Sequence, residues 1–363
     1  MGRCVTVQPE VGAERPRTEG PHMRHVVIDD SRTIRVIEAP DPTLLGPEAA
    51  IIEVTASGIC GSDLHFFDGD IPVGGQIALG HEFLGTIVEL GADVRGFRVG
   101  DRVLASSVAG CGSCAGCATL NPVTCVSGPQ VFGSGMLGGG QATLVAVPAA
   151  DFQLLSIPEG LGDEAALLLT DNLATGWSGA IRAEFSPGAT VVVIGLGAVG
   201  LCAVRSAIAL GAGQVIGIDP VPGRQNRAAD SGATILDGTA IESVLDATSG
   251  RGADAVIDAV ASNSTLDTSF ACVTAGGTVS VIGVHDLDPY PLPILMNLFR
   301  SITLRTTTAP IQQTWGDLLP MVTDGRLRTD GIFTDEFLLG DAAAAYGLAA
   351  ERSGDSLKVM LRP

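Results

Sequence analysis

The sequence predicts an α/β fold in which a doubly wound, six-stranded parallel sheet is inserted between two parts of a β-rich domain. Three observations carry that prediction. A β-branched run, Val191 to Ile194, is followed directly by Gly195, Gly197 and Gly200 and then by an apolar stretch of helical length. From Gly176 onward strand-like and helix-like segments alternate, which is the pattern of βαβ units around a parallel sheet. Between Met23 and Thr175, by contrast, short alternating runs are separated by Pro and Gly and read as a β-rich domain.

The first strand of the parallel sheet is the clearest element. Four β-branched residues in a row suit a strand buried on both faces. The turn after it, Gly195-Leu196-Gly197-Ala198-Val199-Gly200, has dinucleotide-binding spacing. The first glycine permits a tight turn, the second lets a pyrophosphate approach the backbone, and the third lets helix and strand pack closely. Phosphate then falls on the helix N-terminus, and Leu196 and Val199 complete the set of cofactor-binding positions in the turn. A second strand, Gln214 to Ile218, ends in Asp219, whose carboxylate can accept both ribose hydroxyls of an adenosine and repels a 2′-phosphate. That favours NAD over NADP. The glycine spacing alone could be turn chemistry; here strand, helix, second strand and terminal Asp accompany it.

Composition narrows the function classes. The 363 residues are 46% hydrophobic and 17% charged, enough for two globular domains, and the formal net charge is -19. Such an acidic chain is repelled by phosphate backbones and anionic lipid, so nucleic acid and membrane surfaces are not expected partners. There is no run of 18 or more apolar residues, and the N-terminus lacks the basic and apolar regions of a signal peptide, so the expected location is the cytoplasm. Four of the eight cysteines lie within Cys111 to Cys125, a clustering that in a chain without an export signal argues for metal rather than disulfides.

Residues Met1 to His22 carry Pro9, Pro16 and Pro21 without periodicity and read as a disordered extension; Met23 begins a natural first strand, MRHVVIDD. Runs at Thr33 to Glu38 and Ala50 to Ala56 follow. The next stretch holds Cys60, Ser62, Asp63 and His65, and sixteen residues after His65 comes GHEFLG with His81 and Glu82. A thiolate and an imidazole from separate loops are a normal pair of zinc ligands, but two residues do not close a site. Asp171, an acid within the apolar segment LLLTDNLATGWSGA, is the candidate third ligand, since a carboxylate buried without a partner costs several kcal/mol. Each residue also has an ordinary structural reading: Cys60 as a small core residue, His81 as a hydrogen-bonded histidine, Asp171 as a helix N-cap. Their combination favours metal.

Cys111, Cys114, Cys117 and Cys125 form C-x2-C-x2-C-x7-C. Four thiolates close a tetrahedral shell with no open position, so the site holds a loop and does no chemistry. An iron–sulfur cluster is the rival, but the ferredoxin run places its fourth cysteine after three residues with a proline beyond, whereas here the gap is seven and Val126 follows. Structural zinc is favoured. Past the first βαβ unit, runs at Ala233 to Leu236, Ala253 to Val260, Thr278 to Gly283 and Ile302 to Thr306 complete six strands, and beyond Ala309 mixed helix and strand return the chain to the first domain.

With CGSDLH at Cys60 to His65, GHEFLG at Gly80 to Gly85, the four-cysteine lobe and GLGAVG at Gly195 to Gly200, the chain resembles the zinc-dependent medium-chain alcohol dehydrogenases from Met23 to Pro363. The resemblance implies a GroES-like catalytic domain over residues 23–175, with the zinc lobe at 111–125, a Rossmann NAD-binding domain over 176–306, and a return to the catalytic domain over 307–363. It implies catalytic zinc on Cys60, His81 and Asp171, with Asp171 where the best-known members carry cysteine, and leaves open whether Glu82 exchanges into the shell. The fifteen residues between Cys125 and Gln141 look like the short loop of the tetrameric polyol, secondary-alcohol, threonine and formaldehyde dehydrogenases. A homotetramer is therefore expected, with a homodimer as the alternative. Ser107 stands where short-alcohol enzymes often place a bulky aromatic, pointing away from ethanol.

The expected reaction is reversible hydride transfer from an alcohol to NAD, with zinc lowering the pKa of the alcohol. Ser62 would take the proton and His65 pass it to solvent, imidazole being the side chain whose charge changes near neutral pH. Asp63 is expected to accept from the second nitrogen of His81. Thr175 resembles the threonine that packs against nicotinamide; Arg224 is placed over the adenosine ribose and Lys358 near the pyrophosphate, with a solvated surface charge as the equal alternative for both. The rivals are a zinc-free quinone or enoyl reductase of the same superfamily, which needs neither cysteine set, and a non-enzymatic nucleotide-binding protein, for which the sequence offers no support.

Overall fold

The structure is a computed structural model that describes residues 23–236, 240–284 and 289–363. The expected extension, Met1 to His22, lies outside the described residues. The parallel sheet forms as the alternation predicts. Its strands, in chain order, are Thr190–Ile194, Gln214–Ile218, Thr234–Ile235, Ala253–Asp258, Val273–Val281 and Thr303–Thr306. They lie side by side in the order third, second, first, fourth, fifth, sixth, all parallel. The winding reverses between the first and fourth strands, where such a sheet leaves a crevice at its carboxyl edge.

Burial explains the β-branched run. Val191 and Val193 face one core with Leu201 and Val204, while Val192 and Ile194 face a second core with Val256 and Phe270. Both faces of the strand are covered, so the period-two alternation reads as a continuous apolar run.

The β-rich part centres on Ala50–Ile59, which pairs antiparallel with Glu82–Leu90 and with Val359–Arg362. Asp335–Leu338 adds to the latter, so strands from the end of the chain complete a seven-stranded sheet begun near its start. The six-stranded parallel sheet is thus inserted between two parts of one mostly antiparallel sheet. The boundary expected at Thr175 and Gly176 falls inside one continuous helix, Asn172–Arg182, that joins the two. Gly176 lets this helix press against the helix Ala198–Ala209: a Cβ there would lie 2.6 Å from the Ala203 nitrogen.

Candidate active site and metal centres

Cys60 follows the end of the strand Ala50–Ile59 and occupies the N-cap of the helix Gly61–Asp68. Its backbone N–H donates to Asp63 Oδ2 at 2.9 Å, a capping-box arrangement that fixes residue 60 at the N-terminus of the helix. His81 and Glu82 arrive from the turn that opens Glu82–Leu90. Asp171 sits at the N-cap of Asn172–Arg182, yet its side chain caps nothing. It accepts instead from the Thr175 hydroxyl at 2.8 Å, which turns the carboxylate toward His81.

The three loops meet. One ligand atom from each of Cys60, His81, Glu82 and Asp171 lies within 4.8 Å of every other. His81 Nε2 is 3.2 Å from Asp171 Oδ2 and 3.3 Å from Ser62 Oγ, while Nδ1 is 3.3 Å from Asp63 Oδ1, as expected for Asp63. Burial would push the His81 pKa down, but Asp63, Asp171 and Cys60 outweigh it and hold the imidazole well above its ordinary value. Asp171 is pulled below the usual carboxylate range: burial alone would raise it, but His81, Thr175 and Lys358 prevail. One imidazole is thus surrounded by acidic donors in a largely buried site. A divalent cation fits this set: a thiolate, an imidazole nitrogen and a carboxylate oxygen supply two negative charges and leave a fourth tetrahedral position open.

Glu82 is engaged otherwise. The Lys358 ammonium lies 2.9 Å from Oε1 and 2.8 Å from Oε2, and Asn172 Nδ2 donates to Oε1 at 2.8 Å. Gly58 makes room for it, since a Cβ there would stand 2.6 Å from Glu82 Oε2. The expectation that Lys358 reaches a pyrophosphate is therefore corrected: burial among the ligands is affordable for it because Glu82, Cys60 and Asp171 surround the ammonium. His65 Nδ1 pairs with Asp70 Oδ2 at 2.9 Å on the more exposed side of the same helix as Ser62. Ser107 is buried and tied by its N–H to the Thr170 carbonyl, next to Asp171.

The second cysteine group also closes. The Sγ atoms of Cys111, Cys114, Cys117 and Cys125 lie within 4.8 Å of one another, and Cys111 and Cys117 are 4.0 Å apart. Thiolates about 2.3 Å from a tetrahedral zinc stand about 3.8 Å apart, so little movement is needed. Backbone N–H groups of Cys111 and Cys117 point at Cys125 and Cys114 sulfur. Hydrogen bonds from Ser113 and the Cys114 backbone lower Cys111 to about 6, whereas burial lifts Cys117 to about 12.

At the nucleotide turn Gly195 has φ +84 and donates its N–H to the Ile218 carbonyl. A Cβ on Gly200 would fall 1.7 Å from the Gly195 carbonyl oxygen, and one on Gly197 would meet nothing, the open face a ligand needs. The helix starting at Ala198 has no side-chain cap, so its first N–H groups face that opening. Asp219 accepts from the N–H groups of Leu196 and Val221, both at 2.8 Å, and Arg224 Nη1 is 3.6 Å from its carboxylate. The turn, Asp219 and Arg224 are thus assembled in one place.

Asn172, Gln141 and Tyr346 belong to the site's surroundings and are absent from the sequence-based set. Asn172 adjoins the candidate ligand Asp171 and Gln141 follows a run of three glycines, signals that only the packing interprets. Lys358 carried the strongest signal, being the chain's sole lysine.

The fold, with two clusters of side chains that could each hold a metal ion, is that of a zinc-dependent dehydrogenase. Residues 46–159 match the model for the alcohol dehydrogenase GroES-like domain and residues 198–324 that for zinc-binding dehydrogenases. The chain belongs to the zinc-dependent medium-chain alcohol dehydrogenase family. It is 58% identical to a probable zinc-binding alcohol dehydrogenase of Mycobacterium tuberculosis, over 94% of this chain and 89% of that one. It is 30% identical to sorbitol dehydrogenase of Bacillus subtilis, over 94% and 98%. The structure of an alcohol dehydrogenase from Thermus sp. ATN1 superposes with a TM-score of 0.87 at 33% identity, covering 93% of this chain and 99% of that one.

Proposed function

We propose that the chain uses NAD and zinc to oxidise a secondary alcohol, a polyol or a similar alcohol reversibly to the carbonyl compound. It would carry two zinc ions, one held by Cys60, His81 and Asp171 and one by the four-cysteine lobe. The observation that carries this reading is the approach of His81 Nε2 to Asp171 beside the Cys60 thiol and the Ser62 hydroxyl. When bound, zinc supplies a Lewis acid that makes an alcohol proton easier to remove, and NAD accepts the hydride.

The residues divide the remaining work. Ser62 Oγ faces the cluster and takes the substrate proton; His65, three residues along the same helix, hands it toward Asp70 and solvent. Thr175 and Asp63 aim the Asp171 carboxylate and the His81 ring, and Lys358 with Asn172 ties up the Glu82 carboxylate at the edge of the cluster. Asp219 at the ribose position supports NAD, because a 2′-phosphate there meets a buried carboxylate.

Assembly with further copies of the chain, as a homotetramer, is supported by one surface. The helix Ile294–Arg300 exposes Ile294, Leu295, Met296, Leu298 and Phe299, and the neighbouring edge strand Thr303–Thr306 has no outer partner among the described residues. No helix among the described residues is long and apolar enough to cross a membrane; a cytoplasmic location remains part of this proposal.

The test is a panel of primary, secondary, polyol and aldehyde substrates, each with NAD and NADP, followed by the absorbance of reduced nicotinamide. Oxidation of secondary alcohols or polyols with NAD supports the reading. Activity confined to quinones or enoyl compounds overturns it.

A further inference from the structure

We infer that Tyr346 and Gln141 are positioning residues for the metal site: the tyrosine hydroxyl orients the glutamine amide, the amide holds Asp63, and Asp63 presents His81 Nε2 to the ligand cluster. The inference rests on reading that cluster as a zinc site. Tyr346 Oη donates to Gln141 Oε1 at 2.9 Å. Gln141 Nε2 then faces Asp63 Oδ2 at 3.4 Å and the Gly58 carbonyl at 3.1 Å. Asp63 is completed by the Cys60 N–H on Oδ2 and His81 Nδ1 on Oδ1. Tyr346, Gln141, Asp63 and His81 are all buried.

The direction of each bond is dictated by the groups available. Burial beside Asp63 holds the Tyr346 hydroxyl well above its ordinary pKa, so it keeps its proton and donates. A donor on one side of the amide leaves the NH2 group on the other, where two acceptors wait. With the amide reversed, its carbonyl would face a carboxylate and another carbonyl with no proton between them, a costly arrangement in a dry interior. Asp63 thus accepts from His81 Nδ1, and the Nε2 lone pair is left for the ion.

The backbone has been shaped to admit this chain of bonds. Gln141 N–H donates to the Leu79 carbonyl and Gly140 N–H to the Gly80 carbonyl, so residue 141 lies alongside the turn that carries His81. Gly80 has φ +95, and a Cβ on it would sit 2.4 Å from Gln141 Cγ. The glycine before His81 is therefore also the space Gln141 occupies. Tyr346 comes from the helix Ala342–Ala350 near the end of the chain, so the returning segment reaches the metal site through this contact.

The experiment follows zinc release to a chelating dye from zinc-loaded wild type, Tyr346→Phe and Gln141→Leu. Tyr346→Phe removes one oxygen and keeps the ring that packs 5.9 Å from Phe67, so the fold is retained. One zinc is expected to leave about tenfold faster from Tyr346→Phe, and up to about 100-fold faster from Gln141→Leu, while the four-cysteine zinc is released at the wild-type rate. In cobalt-substituted protein the ligand-field bands of the first site shift in both variants. Added to Asp63→Asn, Tyr346→Phe changes nothing more, because it acts through Asp63. Wild-type release and an unshifted cobalt spectrum in Tyr346→Phe, or a full additional effect in Asp63→Asn, overturn the inference. If wild type binds zinc at the four-cysteine lobe only, the reading of the cluster as a metal centre fails first and takes the inference with it.

Discussion

The Lys358 ammonium sits between the two carboxylate oxygens of Glu82, 2.9 and 2.8 Å away, with both side chains buried beside Cys60. It also donates to the Ile59 carbonyl and stands over the Phe333 ring. Removing one partner of such a pair leaves an uncompensated buried charge. Lys358→Met is therefore expected to lose about 3–5 kcal/mol of stability in denaturant unfolding. The double variant Lys358→Met, Glu82→Gln should recover much of it; a single variant as stable as wild type would show that the pair is not what neutralises Glu82.

Asp219 braces the glycine turn through the Leu196 N–H, and in the proposed function it also meets the ribose. Asp219→Ser should weaken NADH by about tenfold, the loss of a hydrogen bond to a charged group. It should also narrow the preference over NADPH, because Arg224 would lose its carboxylate partner. Fluorescence titration with both nucleotides checks this. Unchanged NADH affinity would remove Asp219 from the ribose.

His65→Ala should slow turnover by about 100-fold, with Ser62 still in place, and added imidazole should restore part of the rate. Full activity without imidazole would show that protons leave Ser62 by another route.

His81 gives the pH prediction. Its folded pKa is raised, so in metal-free protein the protonated ring stabilises the fold fully below about 6.5, the ordinary histidine value, and that contribution fades as pH rises through the raised value. Zinc requires the neutral ring, so its affinity should increase with pH over the same interval. Imidazole NMR signals of the metal-free protein followed through a pH titration report the group directly; titration at the ordinary value would contradict the electrostatic account.

The parallel sheet was legible because its strands are buried on both faces and its turn needs glycine at fixed positions. The members of the candidate metal cluster were legible as residue types, since cysteine, histidine and an acid in apolar company carry a cost that chemistry explains. What lay beyond sequence reading was which charge answers which. Lys358 looked like a cation for phosphate, yet strand pairing between Val359–Arg362 and Ala50–Ile59 carries it beneath Glu82. Gln141 and Tyr346 are far apart in the chain and meet only when the returning helix packs. The domain boundary was blurred for a similar reason: one helix serves both units, so no break in pattern marks it.

The central claim is that Cys60, His81 and Asp171 grip one zinc ion. Anomalous diffraction at the zinc edge from crystals of the zinc-loaded protein tests it most directly. The account predicts two peaks per chain, one among the four lobe sulfurs and one within bonding distance of Cys60 Sγ, His81 Nε2 and an Asp171 oxygen; a single peak at the lobe would contradict it.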